Sequence, residues 1–100
     1  MMVMIAGTLR IPVENIDAAR LALARLVDAT RQEPGCLDFA FSESVSEPGL
    51  LHLLERWADR AALEAHWQSP GLREFRPIAE KLGVHDRALT LFEIASDTKL

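Results

Sequence analysis

Only one of the 100 residues is a cysteine, Cys36. No intramolecular disulfide can form, and a lone thiol fits a reducing compartment. The five glycines, Gly7, Gly35, Gly49, Gly71 and Gly83, are all isolated. That excludes a glycine-rich phosphate loop and the dinucleotide-binding fingerprint, which need clustered glycines to bring backbone N–H groups against phosphate. No serine lies in a Gly-x-Ser-x-Gly elbow. The arginines are scattered from Arg10 to Arg87 and the net charge is -4, whereas nucleic-acid binding needs a dense basic stripe. No apolar run approaches the ~20 residues of a membrane span. Met1 to Ile5 is too short for a signal-peptide core and has no basic residues before it. The expectation is a cytoplasmic protein that binds neither nucleic acid nor membrane. His52, His66 and His85 stand far apart, and no carboxylate accompanies His66 at ligand spacing, so no metal site is expected.

What is present is an ordinary globular composition, 49% hydrophobic and 26% charged. Residues 1–100 are read as one domain. A chain of this size buries only about two thirds of its unfolded surface, so association with another copy would add stability.

The stretch Leu50 to Ser69 organises the rest. It opens as a strand in which Leu51, Leu53, Glu55 and Trp57 share one face and His52, Leu54 and Arg56 the other. Asp59 is placed to cap a helix over AALEAHWQ, on which Leu63, His66 and Trp67 form one stripe at i, i+3 and i+4. Upstream, Val3 to Ile11 predicts a first strand stopped by Pro12. Gly7 within it marks either a close approach of ligand or backbone, or a simple packing constraint. Asn15 is expected to cap a helix from Ile16 to about Gln32, with an apolar stripe running from Ile16 to Thr30 and Arg31 on the solvated side. Glu33-Pro34-Gly35 ends that helix. Cys36 to Val45 predicts a second strand, with Leu37, Phe39, Phe41, Glu43 and Val45 on one face and Cys36, Asp38, Ala40 and Ser42 on the other. Ser69-Pro70 restarts a helical segment with Leu72, Phe75, Ile78, Ala79 and Leu82 on its apolar side; Pro77 predicts a kink or two short pieces there. Ala88 to Ala95 is the last strand.

The order strand, helix, strand, strand, helix, strand predicts an α+β class, a ferredoxin-like βαββαβ antiparallel sheet with helices on one side. Such a sheet leaves one face uncovered, yet Val3 to Ala6, Leu50-Leu51, Leu53-Leu54 and Leu89 to Ile94 carry apolar residues on both faces. A wet face would alternate with polar residues. The expected partner for the second face is the same face of another copy, giving a homodimer, a dimeric α+β barrel.

Glu-x-Trp at Glu55 and Trp57, the acidic corner at Asp59, Ala-x-Leu-x-x-His ending at His66, and then Ser69-Pro70 together resemble the antibiotic biosynthesis monooxygenase family, which includes quinol monooxygenases. The run Glu33-Pro34-Gly35-Cys36-Leu37-Asp38-Phe39 is similar to that family's turn into its second strand. The resemblance is close over residues 33 to 71 and implies the same dimeric barrel. It implies a cofactor-independent monooxygenase. An electron-rich phenol, quinol or anthrone, once deprotonated, itself reduces dioxygen, so the protein need only hold a flat aromatic substrate dry, take its proton and steady the oxyanion.

Under that reading His66 is the first candidate for general base, because imidazole titrates near neutral pH; as packing alone it would be a core histidine satisfied by a backbone carbonyl. Glu55 either orients His66 or pairs with an arginine. Thr8 and Arg10 share a face of the first strand and are candidates to meet a substrate oxygen, although Arg10 also suits a solvated strand end. Phe39, Phe41, Trp57, Trp67 and Phe75 are candidate aromatic walls. Cys36 has no activating neighbour and reads as a buried structural thiol. A second reading is a non-catalytic module that binds a small aromatic metabolite. Haem-degrading enzymes share this fold, with an asparagine on the first strand, a tryptophan after the third and a histidine about ten residues on. Here those places hold Thr8, His66 and Arg76, so haem degradation is disfavoured.

Overall fold

Alternation in the strands and a 3.6-residue period in the helices sort this chain into two layers. The computed structural model describes residues 1–100. Strand β1 (Met2–Arg10) is followed by a 3-10 turn (Val13–Asn15), helix α1 (Ile16–Arg31), strands β2 (Cys36–Glu43) and β3 (Leu50–Trp57), helices α2 (Arg60–Trp67) and α3 (Pro70–Leu82), and strand β4 (His85–Ile94). The sheet order is β2-β3-β1-β4 with every neighbouring pair antiparallel. This is the expected ferredoxin-like α+β topology. No helix is long and apolar enough to cross a membrane.

The helices cover the face carrying Val3, Ile5, Leu9, Leu51, Leu53 and Trp57, all buried. The strand pairs put Met4, Ala6 and Thr8 beside Leu54, His52, Phe92 and Ala88 on the opposite face. No element covers that face, and Leu54 and Phe92 are 41% and 44% exposed. Gly7 is a close approach of backbone, since a Cβ there would lie 2.0 Å from the Ala88 carbonyl oxygen.

Five expectations need correction. β2 ends at Glu43, not Val45, because the Ser44 hydroxyl accepts from the Ser46 and Glu47 N–H groups and turns the chain. A bulge separates Cys36 from Asp38 and takes Leu37 out of the alternation. Cys36 therefore packs against the core and Leu37 is exposed, the reverse of the expected faces. The thiol is half-buried and its pKa is raised, first by burial and then by Glu33, Glu55 and Asp38, which disfavours the thiolate.

Helix α3 runs unbroken through Pro77. Pro77 and Arg73, four residues earlier, both face solvent, so the carbonyl that loses its donor meets water instead. Asn15 stands at the N-cap of α1, but its side chain makes no cap bond and donates to the Leu82 carbonyl at 2.9 Å. It ties the start of α1 to the end of α3. β4 begins at His85, three residues before the expected Ala88, through a register shift opposite Leu9 with Asp86 at φ 50. Arg31 is exposed as expected, yet its Nε reaches the Phe39 carbonyl at 3.0 Å.

Candidate functional site

Two carboxylates and an imidazole meet beneath α2. The Asp59 side chain accepts from the Ala62 N–H at 2.8 Å and starts α2 directly after β3. Leu63 and His66 then fall on the buried face one turn apart. Glu55 and Trp57, alternate residues of β3, point up at that face. The loop Glu33-Pro34-Gly35 is pinned to the end of β3, with the Gly35 carbonyl accepting from the Ala58 N–H at 2.8 Å. Gly35 itself abuts α2, since a Cβ there would lie 2.6 Å from the Ala62 Cβ, at φ 82. Only glycine lets this turn come so near, and the turn brings Glu33 to His66.

His66 is 3% exposed. Its Nδ1 lies 3.0 Å from Glu33 Oε1 and 3.3 Å from Oε2. Its Nε2 lies 3.9 Å from Glu55 Oε1. That same oxygen accepts a hydrogen bond from Trp57 Nε1 at 3.0 Å. The imidazole stacks on the Trp57 indole at 4.8 Å between ring centroids and meets Phe39 edge-on at 5.4 Å. Burial raises the Glu55 pKa above its ordinary value; the Trp57 hydrogen bond and His66 partly oppose this, and Glu33 adds to it.

Glu55 and His66 line an apolar cavity of about 240 Å³ between sheet and helices, with Phe39, Phe41, Trp67 and Phe75 among its walls. Arg76 and Arg87 also line it. Arg76 Nη2 donates to the Trp67 carbonyl at 2.6 Å, and neither guanidinium is in an ion pair. Glu33 does not reach this cavity. It lines a separate, open hollow on the outer surface with Gly35, Ala62, Gln68 and Ser69.

The structure therefore brings together His66, Glu55, Phe39, Phe41, Trp67 and Phe75. It separates Thr8 and Arg10 from them. Both belong to the β1 residues that alternate away from Val3, Ile5 and Leu9, so they lie on the uncovered face. Arg10 is a strand-end charge 3.7 Å from Glu47. Trp57 is fully buried behind His66 and is not a cavity wall. Three residues were missed by the sequence reading. The sequence offers Glu33 only as helix punctuation and as part of a family-like turn, Arg76 only against a haem pattern, and Arg87 only as one of the scattered arginines. Nothing in a linear spacing of 33 residues between Glu33 and His66 signals their contact.

A family model described as antibiotic biosynthesis monooxygenase matches residues 2–77. A solved structure from Deinococcus radiodurans, named as a candidate antibiotic biosynthesis monooxygenase, is 30% identical with a TM-score of 0.88, covering 100% of this chain and 98% of that one. A Mycobacterium tuberculosis protein of solved structure is 26% identical with a TM-score of 0.85, covering 99% and 100%. An uncharacterized Synechocystis protein is 26% identical over 98% of this chain and 67% of its own length.

Proposed function

From the premise that this chain belongs to the antibiotic biosynthesis monooxygenase family, we propose that it is a cofactor-independent monooxygenase acting on a small phenol or quinol. The observation that carries this reading is a buried imidazole between two carboxylates at the wall of an aromatic-lined cavity. A cavity of about 150 Å³ accepts benzene. The 240 Å³ here has room for one or two fused rings with their oxygens.

In the proposed reaction His66 takes the hydroxyl proton and the phenolate gives one electron to dioxygen. The radical pair recombines as a peroxide on a ring carbon. That carbon then loses its hydrogen as the O–O bond breaks, giving a quinone that keeps one oxygen atom and water that takes the other. The proton held by His66 returns in the water. Arg76 and Arg87, the unpaired cations of the cavity wall, suit the phenolate oxygen and the developing peroxide. Phe39, Phe41, Trp67 and Phe75 keep the site dry, which strengthens these charge interactions.

The functional unit is proposed to be a homodimer through the uncovered sheet face. Its support is the apolar run of Met4, Ala6, Leu54, Phe92 and Ile94 on that face. The decisive experiment incubates metal-free protein and His66→Ala with naphthoquinols and simple hydroquinones under isotope-labelled dioxygen. Label in the quinone that is lost in the variant is expected. Label that persists in the variant would remove His66 from the reaction, and no label with any substrate would leave a binding module for small aromatic metabolites.

A further inference from the structure

The side of His66 away from the cavity holds the third member of the site. We propose that Glu33 is a positioning residue that sets the tautomer of His66, so that the ring presents a free lone pair on Nε2 for proton abstraction.

The argument starts from the two ring nitrogens. Nδ1 sits 3.0 and 3.3 Å from the two oxygens of Glu33. A carboxylate only accepts, so the proton of the neutral ring resides on Nδ1. The lone pair then stands on Nε2, the nitrogen turned toward Glu55 and the cavity. The opposite tautomer would place two lone pairs face to face between Nδ1 and Glu33, and would leave Nε2 unable to accept a proton. Buried against a Trp57 indole on one side and Phe39 on the other, the ring has no room to settle the matter with water. When Nε2 takes the substrate proton, the imidazolium lies between Glu33 and Glu55. Nδ1 then donates to Glu33, with Glu55 3.9 Å from Nε2 on the other side, and the charge is held until the proton returns.

The backbone is arranged to deliver this carboxylate. Glu33 follows α1, where its N–H donates to the Thr30 carbonyl at 3.0 Å and its own carbonyl accepts from the Cys36 N–H at 3.2 Å. Pro34 restricts the residue before it, and Gly35 allows the close seat against Ala62, one turn before His66. Glu33 opens to the outer hollow, not to the cavity. A substrate in the cavity is therefore out of its reach, and its effect must pass through His66.

The catalytic consequence rests on the monooxygenase reading, but the tautomer does not, so the test has two arms on the full chain. In the first, long-range proton–nitrogen spectra of labelled protein, taken where the His66 ring is neutral, report which nitrogen carries hydrogen. The wild type is expected to show Nδ1–H, and Glu33→Leu, which removes the acceptor at similar volume, to lose most of that share. An Nε2–H ring in the wild type, or an unchanged ring in Glu33→Leu, would overturn the proposal. In the second arm, quinol-dependent oxygen uptake is expected to lose kcat by about 10- to 100-fold in Glu33→Leu, as for carboxylates that orient metal-bound histidines, with KM little changed. Glu33→Asp, which keeps an acceptor, should recover part of the rate. A raised KM with unchanged kcat would contradict a positioning role. Absence of turnover in the wild type would sink the monooxygenase reading and leave the spectra to decide on Glu33.

Discussion

Replacing Gly7 with alanine measures how tightly β4 is held against β1. A Cβ at position 7 would lie 2.0 Å from the Ala88 carbonyl oxygen and 2.8 Å from the Leu89 Cα. Carbon and oxygen on adjacent strands settle at about 3.3–3.6 Å, so the strands must part by about 1.3 Å. The obstacle is backbone, and no rotamer change relieves it. Ladder bonds of ~2.9 Å stretched by that amount fall outside hydrogen-bond range. Losing two of them costs about 1–1.5 kcal/mol each, and one buried group left without a partner costs a further ~1–3 kcal/mol. The expected loss is about 3–6 kcal/mol, against a total of ~5–15 kcal/mol for a domain. With a urea m-value near ~2 kcal/mol/M, the midpoint should fall by about 1.5–3 M. The same strand carries Arg87 and Leu89 on the cavity wall, so ligand binding should weaken with the fold. Urea titration followed by far-ultraviolet circular dichroism is the assay. A midpoint within about 0.5 M of the wild type would refute the reasoning, because it would mean that the two strands separate at almost no cost.

Three further outcomes are expected. Burial raises the Glu55 pKa above its ordinary value of 4.5, so between 4.5 and the raised value the folded protein keeps a proton that the unfolded chain releases. Stability contributed by Glu55 is therefore present below that window and lost as pH rises through it. Glu55→Gln cannot titrate, and urea unfolding at acid and alkaline pH should show it gaining on the wild type at the alkaline end; a difference independent of pH would count against the buried carboxylate. Thr30 is fully buried, and its hydroxyl has no hydrogen-bond partner. Thr30→Val should stabilise by about 1 kcal/mol in the same titration, and a loss of stability would show that the hydroxyl is satisfied in solution. Leu54→Arg places a charge on the uncovered sheet face, 41% exposed in the single chain; under the proposed dimer, light scattering is expected to report a dimer for the wild type and a monomer for the variant, and a dimeric variant would place the interface elsewhere.

Periodicity carried the architecture because each strand and helix declares its buried face within a few residues. Leu51, Leu53, Glu55 and Trp57 were legible as one face of a strand, and Leu63, His66 and Trp67 as one stripe of a helix. Asp59 was legible as the cap that joins them, and its cap bond to Ala62 is present. Local rules failed where one residue too many enters a strand, as at Leu37, because a bulge has no period of its own. They failed again at Asn15, whose side chain serves the distant Leu82 rather than its own helix, and at Pro77, whose missing donor matters little on a solvent-facing side.

The chain by itself determined the order of elements, the buried faces outside the bulge at Leu37 and the presence of His66 and Glu55 on facing surfaces, since these follow from spacing along single elements. Only the tertiary structure decided which polar groups share a space. It removed Thr8 and Arg10 to the far side of the sheet, set Trp57 behind the imidazole, and brought Glu33, Arg76 and Arg87 to either side of the site. Contact between residues far apart in sequence depends on how a turn such as Glu33-Pro34-Gly35 packs against α2, and side-chain period carries no information about that packing.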